Sequence, residues 1–504
     1  MSADNIQPQD APTDCRGILK HLGPGLIVTA CIVGSGELIA TPKVGADHGF
    51  SLLWFIIIGC IIKVFVQVEL GRAAVVRGKT TLQLMNEMPG PRLVVSWLVW
   101  CWLFMFVAVF FQLGGIVGGV AQVFGELNLI TKGGEGFMTP DKWLAIGVSV
   151  ATVAILASGK YRTVERFSVC MVVFFTLSTV YALVMLQTSP AMEQFAITGD
   201  QIREGLRFDL PDDFSTAFAA FGIIGVGATE LIYYPYWCLE KGYSRNVGPM
   251  EEDASGQYDC PVCGAKKSFL GTVYTAGFAW MRKASLAPKC GQCGNQLGNA
   301  ELRPSSWSLR ALGWLRVMRI DAWVSMVIYT SATVAFYLLG AAFLRKTGLS
   351  EEGMIVDLSK MFAPLGKAGF TIFLIGAFVV LFSTLVSGTA SNARLLADGL
   401  VLYKVKTIKD NAQWMELVRK CCIGIPLICG ALYCVMGSPV TMVLIGGVAQ
   451  ALMLPFLAAA ALYFRYQKTD PPLQPGNAWT VFLWISALAM GSVGLYQLIS
   501  KITG

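Results

Sequence analysis

The sequence predicts an all-α integral membrane protein of about eleven transmembrane helices, interrupted by one small zinc-ribbon insert. Three observations lead there. Of 504 residues, 55% are apolar and only 14% charged, with a mean hydropathy of +0.59; a soluble domain carries about 25% charged residues. That shortage excludes a soluble enzyme. Apolar runs of about 20 residues, long enough to cross a hydrocarbon core, recur along the whole chain. Finally, two Cys-x-x-Cys pairs fall in the one long hydrophilic block, a metal-binding pattern. Two histidines, His21 and His48, are too few for histidine-based catalysis or a His-rich metal centre.

Residues 1–20 are polar and lack the apolar core of a cleavable signal, so they read as a cytoplasmic tail. Apolar stretches follow at roughly 24–44, 50–71, 94–123, 142–158, 165–187, 215–240, 320–344, 367–397, 418–436, 439–465 and 477–499. The domain plan is therefore a first transmembrane repeat with the start of a second (21–245), an insert (246–312) and the remaining helices (313–504). The net charge of +7 does not signal nucleic-acid binding, because the basic residues sit between apolar runs. One set of alternate loops holds Arg72, Arg77, Lys79 and Arg92, then Lys160, Arg162 and Arg166, then Lys404, Lys406 and Lys409, then Arg465 and Lys468. The opposite set holds Glu193, Asp200, Glu204, Asp209, Asp212 and Asp213, then Glu351, Glu352 and Asp357. By the positive-inside rule the N-terminus is cytoplasmic, and the expected location is the plasma (inner) membrane. Arg345 and Lys346 run against this orientation.

Two of the spans should break. The first contains Gly34-Ser35-Gly36 followed by Glu37; the sixth contains Gly222, Gly225 and Gly227 followed by Glu230, with Pro235 beyond. Glycines in one membrane helix are explained by close packing. Two clusters five spans apart, each beside a lone carboxylate, instead mark the broken helices of an inverted-repeat transporter. Unwound backbone frees carbonyl oxygens, and with Glu37 and Glu230 these make an oxygen-lined site for a cation. A carboxylate at the bilayer centre costs about 2.5 kcal/mol or more, so its default reading is functional. The competing reading is a structural ion pair. Lys63, with Glu69 six residues later, is the rival partner, though its long stem suits snorkelling to the cytoplasmic interface. Tyr233, Tyr234 and Tyr236, just past the break, read as packing and interface residues.

The insert carries Cys260-Pro-Val-Cys263-Gly and Cys290-Gly-Gln-Cys293-Gly. Each knuckle's glycine permits the tight turn that aims two thiolates at one ion, and two knuckles give a closed four-thiolate shell for structural Zn²⁺. Spacing alone does not separate zinc from an iron centre. As a small domain with little core, the ribbon reads first as a folding staple; docking of a cytoplasmic protein is the alternative. Lys266, Lys267, Arg282, Lys283 and Lys289 make it basic, a solvated face near anionic lipid.

The transmembrane part resembles the NRAMP family of divalent-metal transporters over residues 20–245 and 313–465. The resemblance rests on Gly-Pro-Gly-Leu (23–26), Gly45-Ala46, Gly49-Phe50 with Leu52-Leu53-Trp54, the sixth-span Gly-Ile-Ile-Gly and Gly-Ala-Thr, Ser-Thr-Leu-Val-Ser-Gly-Thr (383–389) and Leu454-Pro455-Phe456. It implies a leucine-transporter-type fold, two inverted five-helix repeats plus one extra helix. The departures fall on the chemistry. The family's Asp-Pro-Gly-Asn is replaced by Gly34-Ser35-Gly36-Glu37, and its Met-Pro-His lands on Leu231-Ile232-Tyr233. The third-span acids linked to proton movement fall on Gln112 and Gly115, and the tenth-span glutamine lies nearly one turn from Gln450. Methionine favours soft metals whereas carboxylates and carbonyls suit Mg²⁺ and Mn²⁺, so a harder site with weakened proton coupling is expected. The expected function is transport of a divalent cation such as Mn²⁺, Mg²⁺ or Fe²⁺. Its ligands would be Glu37 and Glu230, carbonyls of Gly34 and of Ala228 or Thr229, the Thr229 hydroxyl, and Gln450. Two alternatives stay open: a non-transporting sensor on a transporter scaffold, and a carrier of a small organic solute.

Overall fold

The computed structural model describes residues 8–34, 36–126, 139–157, 161–188, 190–209, 217, 220–249, 257–259, 261–264, 266–268, 293, 302–303, 306–347, 354–359, 362, 368–470 and 473–503. Helix α1 (Cys15–His21) lies before the first span and is capped by Asp14, whose carboxylate accepts from the Gly17 N–H at 2.9 Å. The first span comprises α2 (Pro24–Ile32), a π-helical turn (Gly36–Ala40) and α3 (Thr41–His48). There follow α4 (Leu53–Arg77), α5 (Thr81–Asn86), a tight hairpin of β1 (Arg92–Leu93) and β2 (Val95–Ser96), α6 (Trp97–Glu126), α7 (Pro140–Leu156), α8 (Tyr161–Thr188) and α9 (Gly199–Gly205). Helix α10 (Ala228–Lys241) and α11 (Tyr243–Val247) lead to the insert. After it come α12 (Ser306–Thr347), α13 (Met354–Ser359), α14 (Gly369–Leu402), α15 (Asn411–Met436), α16 (Pro439–Gln467) and α17 (Asn477–Thr503).

Among the described residues, eight helical stretches are long and apolar enough to cross a membrane, and each coincides with one of the eleven expected spans. The other three expected spans fall on α7, on α8 and on the region that ends in α10. Large apolar side chains stand exposed on outer faces, among them Phe104, Val435 and Leu488. A surface like that suits lipid, where backbone polar groups must be satisfied within the helices themselves.

Helix α12 begins at Ser306, earlier than hydropathy suggests. Arg310, Arg316 and Arg319 depress the apolar average, yet Trp307, Ala311, Trp314, Leu315 and Met318 are buried at helical spacing and seat this extension. Farther along the same helix, the buried carboxylate of Asp321 accepts from the N–H of Gly23 at 3.0 Å and of Gly25 at 2.6 Å. It thus caps the N-terminus of α2, satisfying orphan donors and complementing the helix dipole from nearly 300 residues away in sequence.

On the same side, α5, α10 and α14 are tied together. Asp398 accepts from the Thr80 hydroxyl, from Tyr236 at 2.5 Å and from Gln83 at 3.4 Å. Arg394 grips Glu240 with two bonds at 2.5 and 3.0 Å while its guanidinium lies 4.3 Å from the Trp237 ring centre.

Within the insert, β3 (Gln257–Asp259) pairs antiparallel with both β4 (Lys266–Ser268) and β5 (Leu302–Arg303), giving the strand order β4-β3-β5. The first Cys-x-x-Cys-Gly connects β3 to β4, and Gly264 sits at φ +67°, a left-handed conformation that glycine adopts without steric cost.

Candidate functional site

Both expected breaks are present, and the chain satisfies each in its own way. In the first span, α2 stops at Ile32 and the backbone resumes as the π turn, a distortion that recurs at functional sites. Carbonyls freed there are met by Thr384 on α14, whose hydroxyl donates to Ala30 O at 3.0 Å and lies 3.4 Å from Val33 O. In the sixth span, the N–H groups of Ile223 and Ile224 both reach back to Ala220 O. Gly225 then turns left-handed at φ +63°, and α10 starts afresh at Ala228 with Gly227 as its cap.

Charged groups flank this second break. The ammonium of Lys63 donates to Phe221 O at 2.5 Å and Ile224 O at 2.7 Å, and sits 4.1 Å from the Phe221 ring centre. Lys63 is fully buried, so the expectation that it snorkels to the interface is corrected: unpaired carbonyls of the break hold it inside. Glu69 instead takes Arg72 at 3.2 Å and the Trp479 indole N–H at 2.7 Å. Glu37, also fully buried, accepts at Oε1 from the Gly225 N–H at 3.2 Å and from the Thr333 hydroxyl at 3.1 Å. Its Oε2 faces the Gly34 N–H at 3.5 Å.

Beside the break lies a small cavity of about 20 Å³, lined by Cys31, Val109, Gln112, Leu113, Ile116, Thr229, Glu230, Tyr233, Thr384, Gly388 and Asn392. That is room for one or two water-sized guests. Among the described residues Glu230 is the one carboxylate in this lining, and Tyr233 donates to its Oε1 at 3.0 Å. Two buried oxygens on lining residues, Thr229 Oγ1 and Asn392 Oδ1, have no hydrogen-bond partner among the described residues. Such atoms are nearly always paired in a native fold, so these two are candidate donors to a guest in the cavity. Gln450 stands one bond behind: its Oε1 accepts from the Thr229 N–H at 3.0 Å, and its amide donates to Gln112 Oε1 at 2.7 Å.

Of the sequence-predicted residues, then, Thr229 and Glu230 line the cavity and Gln450 braces it, whereas Glu37, Gly34 and Ala228 do not line it. Gly34 and Ala228 are buried at the two breaks, and the Gly34 carbonyl accepts from the Leu38 N–H at 2.8 Å. Tyr233, expected to be a packing residue, contributes its hydroxyl to the site; Tyr234 bonds Asp321 at 3.2 Å and Tyr236 bonds Asp398. Sequence reasoning missed Cys31, Thr384 and Asn392. Cys31 is the penultimate residue of α2, and Thr384 and Asn392 come from α14, so only the fold brings them to Glu230. In the ribbon, Cys260 and Cys290 lie outside the described residues, while Cys263 and Cys293 are exposed. Among the described residues no cluster of three or more His, Cys, Asp or Glu side chains is poised around a metal position.

Comparison with known proteins agrees with this architecture. A family model described as "Natural resistance-associated macrophage protein-like" matches residues 25–229 and 305–500, the larger part of the chain on either side of the insert. The chain is 27% identical over 184 residues to metal transporter Nramp5 of Oryza sativa subsp. japonica, covering 35% of this chain and 31% of that one. It is 33% identical over 86 residues to metal transporter Nramp6.2 of Populus trichocarpa, covering 17% and 15%. The matched stretch thus spans less than a third of either curated relative. Crystal structures of the Eremococcus coleocola manganese transporter superpose along the whole chain: a histidine-to-alanine mutant gives a TM-score of 0.65 at 13% identity, covering 100% of this chain and 92% of that one.

Proposed function

This chain belongs to the Nramp family, and on that premise we propose that it carries divalent metal cations across a membrane, binding them in the cavity beside Glu230. The observation that carries the proposal is the pair of unpartnered buried oxygens, on Thr229 and Asn392, in a lining that also holds a carboxylate. Carboxylate, hydroxyl and amide oxygens are the donors that Mg²⁺ and Mn²⁺ prefer, with the Cys31 thiol as the single soft neighbour. One carboxylate among neutral oxygens favours a cation over an uncharged organic solute. Glu230 supplies the charge, Thr229 and Asn392 neutral oxygens, and Gln450 fixes the start of α10. Glu37, held by Gly225 and Thr333, serves as the brace between the two breaks. With Gln112 at the third-span position and no second carboxylate in the lining among the described residues, the ion moves down its own gradient without a proton. Loop charges support an orientation with the N-terminus cytoplasmic in the plasma (inner) membrane.

The test is Mn²⁺ and Mg²⁺ flux into proteoliposomes that also contain a pH dye. Glu230→Gln is expected to lower flux at least about tenfold, the scale on which metal sites respond to altered coordination, and wild-type flux is expected to leave internal pH unchanged. Metal flux that survives Glu230→Gln intact sinks the site; acidification in step with flux sinks the uncoupled mechanism.

The four cysteines Cys260, Cys263, Cys290 and Cys293 are proposed to hold one structural Zn²⁺. What supports this is that Cys263 lies between two paired strands, with Gly264 left-handed after it. Bound there, the metal supplies a covalent-strength staple for a sheet of short strands.

A further inference from the structure

We infer that Lys63 is a built-in cation that holds the sixth-span hinge, in the role that a dissolved monovalent ion would otherwise fill. Unwinding a helix at Phe221–Gly227 leaves carbonyl oxygens without intrahelical donors, and in lipid each such group is expensive. A cation among carbonyls is one remedy; half-helix C-terminal ends and unwound carbonyls are where secondary transporters place Na⁺. Here a protein ammonium stands at that kind of position. Its Nζ is 2.5 Å from Phe221 O and 2.7 Å from Ile224 O, and the Phe221 ring centre lies 4.1 Å away. An ammonium has three donors; two carbonyls and one aromatic face use them. Among the described residues no carboxylate comes within 4.0 Å of Lys63, so its hydrogen bonds go to the hinge backbone, and the charges of Glu230 and Glu37 act on it from farther off.

The far side of the same turn carries the complementary charge. Glu37 accepts from the Gly225 N–H, the residue whose left-handed φ makes the bend. Positive charge thus meets the carbonyls of Phe221 and Ile224 and negative charge meets the N–H side of the turn at Gly225. Four covalently tethered carbons fix the ammonium in place, so its local concentration does not depend on the medium. The hinge is then held whichever divalent ion the cavity takes, and no Na⁺ or K⁺ is needed to hold it.

The experiment uses full-length protein in detergent and in proteoliposomes, with thermal midpoint and Mn²⁺ flux read in N-methylglucamine, Na⁺, K⁺ or methylammonium buffers. Wild type is expected to give the same midpoint and flux in all four. Lys63→Ala is expected to have a lower midpoint and at least about tenfold lower flux in N-methylglucamine, with Na⁺ or methylammonium restoring both. Lys63→Met fills the space without charge and is expected to stay impaired in every buffer. The inference is overturned if wild type itself requires Na⁺ or K⁺, if Lys63→Met matches wild type, or if no small cation restores Lys63→Ala. Should Lys63→Ala not fold, the wild-type and Lys63→Met arms still decide it. Because flux and thermal midpoint are read together, loss of the cavity reading through Glu230→Gln leaves the midpoint result for Lys63 standing.

Discussion

Asp321 shows how much a single buried carboxylate can organise. It caps α2 with two N–H bonds and also receives Tyr234. Removing it leaves two donors buried at a helix end. Hydrogen bonds to a charged group are worth roughly 1.5–3 kcal/mol, so Asp321→Ala is expected to destabilise by about 3 kcal/mol or more in detergent denaturation, with Asp321→Asn retaining part of the cap. An unchanged midpoint in Asp321→Ala would contradict the cap. Glu87, outside the spans, offers a pH test. Partial burial pushes its carboxyl up, but the hydrogen bonds and charges of Lys468 and Lys79, each at 2.5 Å, hold it below the usual range. A depressed carboxyl contributes stability that is fully present above its unfolded value, about 4.3, and lost as pH falls through the folded one. The link between the end of α5 and the end of α16 is therefore expected to weaken only below about pH 4. Glu87→Gln should flatten the acid limb of the stability profile, and an identical limb in the variant would contradict this. None of these partnerships was visible in the linear chain, because Asp321, Lys63 and Cys31 each meet partners from distant elements.

Elements were far more legible than contacts. Length and hydropathy located the spans because lipid forces backbone polar groups into helices, and glycine clusters beside lone carboxylates located both breaks. Hydropathy failed at Ser306–Arg319, where arginines mask a helical face whose tryptophans are buried. It also left Glu37 and Glu230 looking equivalent, since the sequence does not tell a carboxylate facing a cavity from one holding a turn. The tie between α10 and α14 makes its own prediction. Arg394 is buried, whereas Glu240 is partly open to solvent. Breaking a buried pair costs about 3–5 kcal/mol when one charge is left uncompensated. Glu240→Gln is expected to lie at the lower end of that range, and the double variant Arg394→Met, Glu240→Gln to be less destabilised than Glu240→Gln alone. A purely additive cycle would show that the two side chains do not act as a pair.

For the molecule as a whole, the strongest expectation concerns the insert. Metal analysis of purified protein is expected to find one zinc per chain, lost in Cys263→Ser with Cys293→Ser; a metal-free wild type, or iron in its place, would refute the zinc assignment. What joins the insert to the hinge is α12, which is unbroken from Ser306 to Thr347. Strand β5 ends at Arg303, three residues before that helix begins. At 1.5 Å per residue, about 40 Å of continuous rod separates Ser306 from Thr333, whose hydroxyl grips Glu37. Asp321 leaves the same rod midway to hold the start of α2. A torque applied at Ser306 is therefore delivered along one stiff lever to both halves of the first span, with no break in the helix between Ser306 and Thr333 to absorb it.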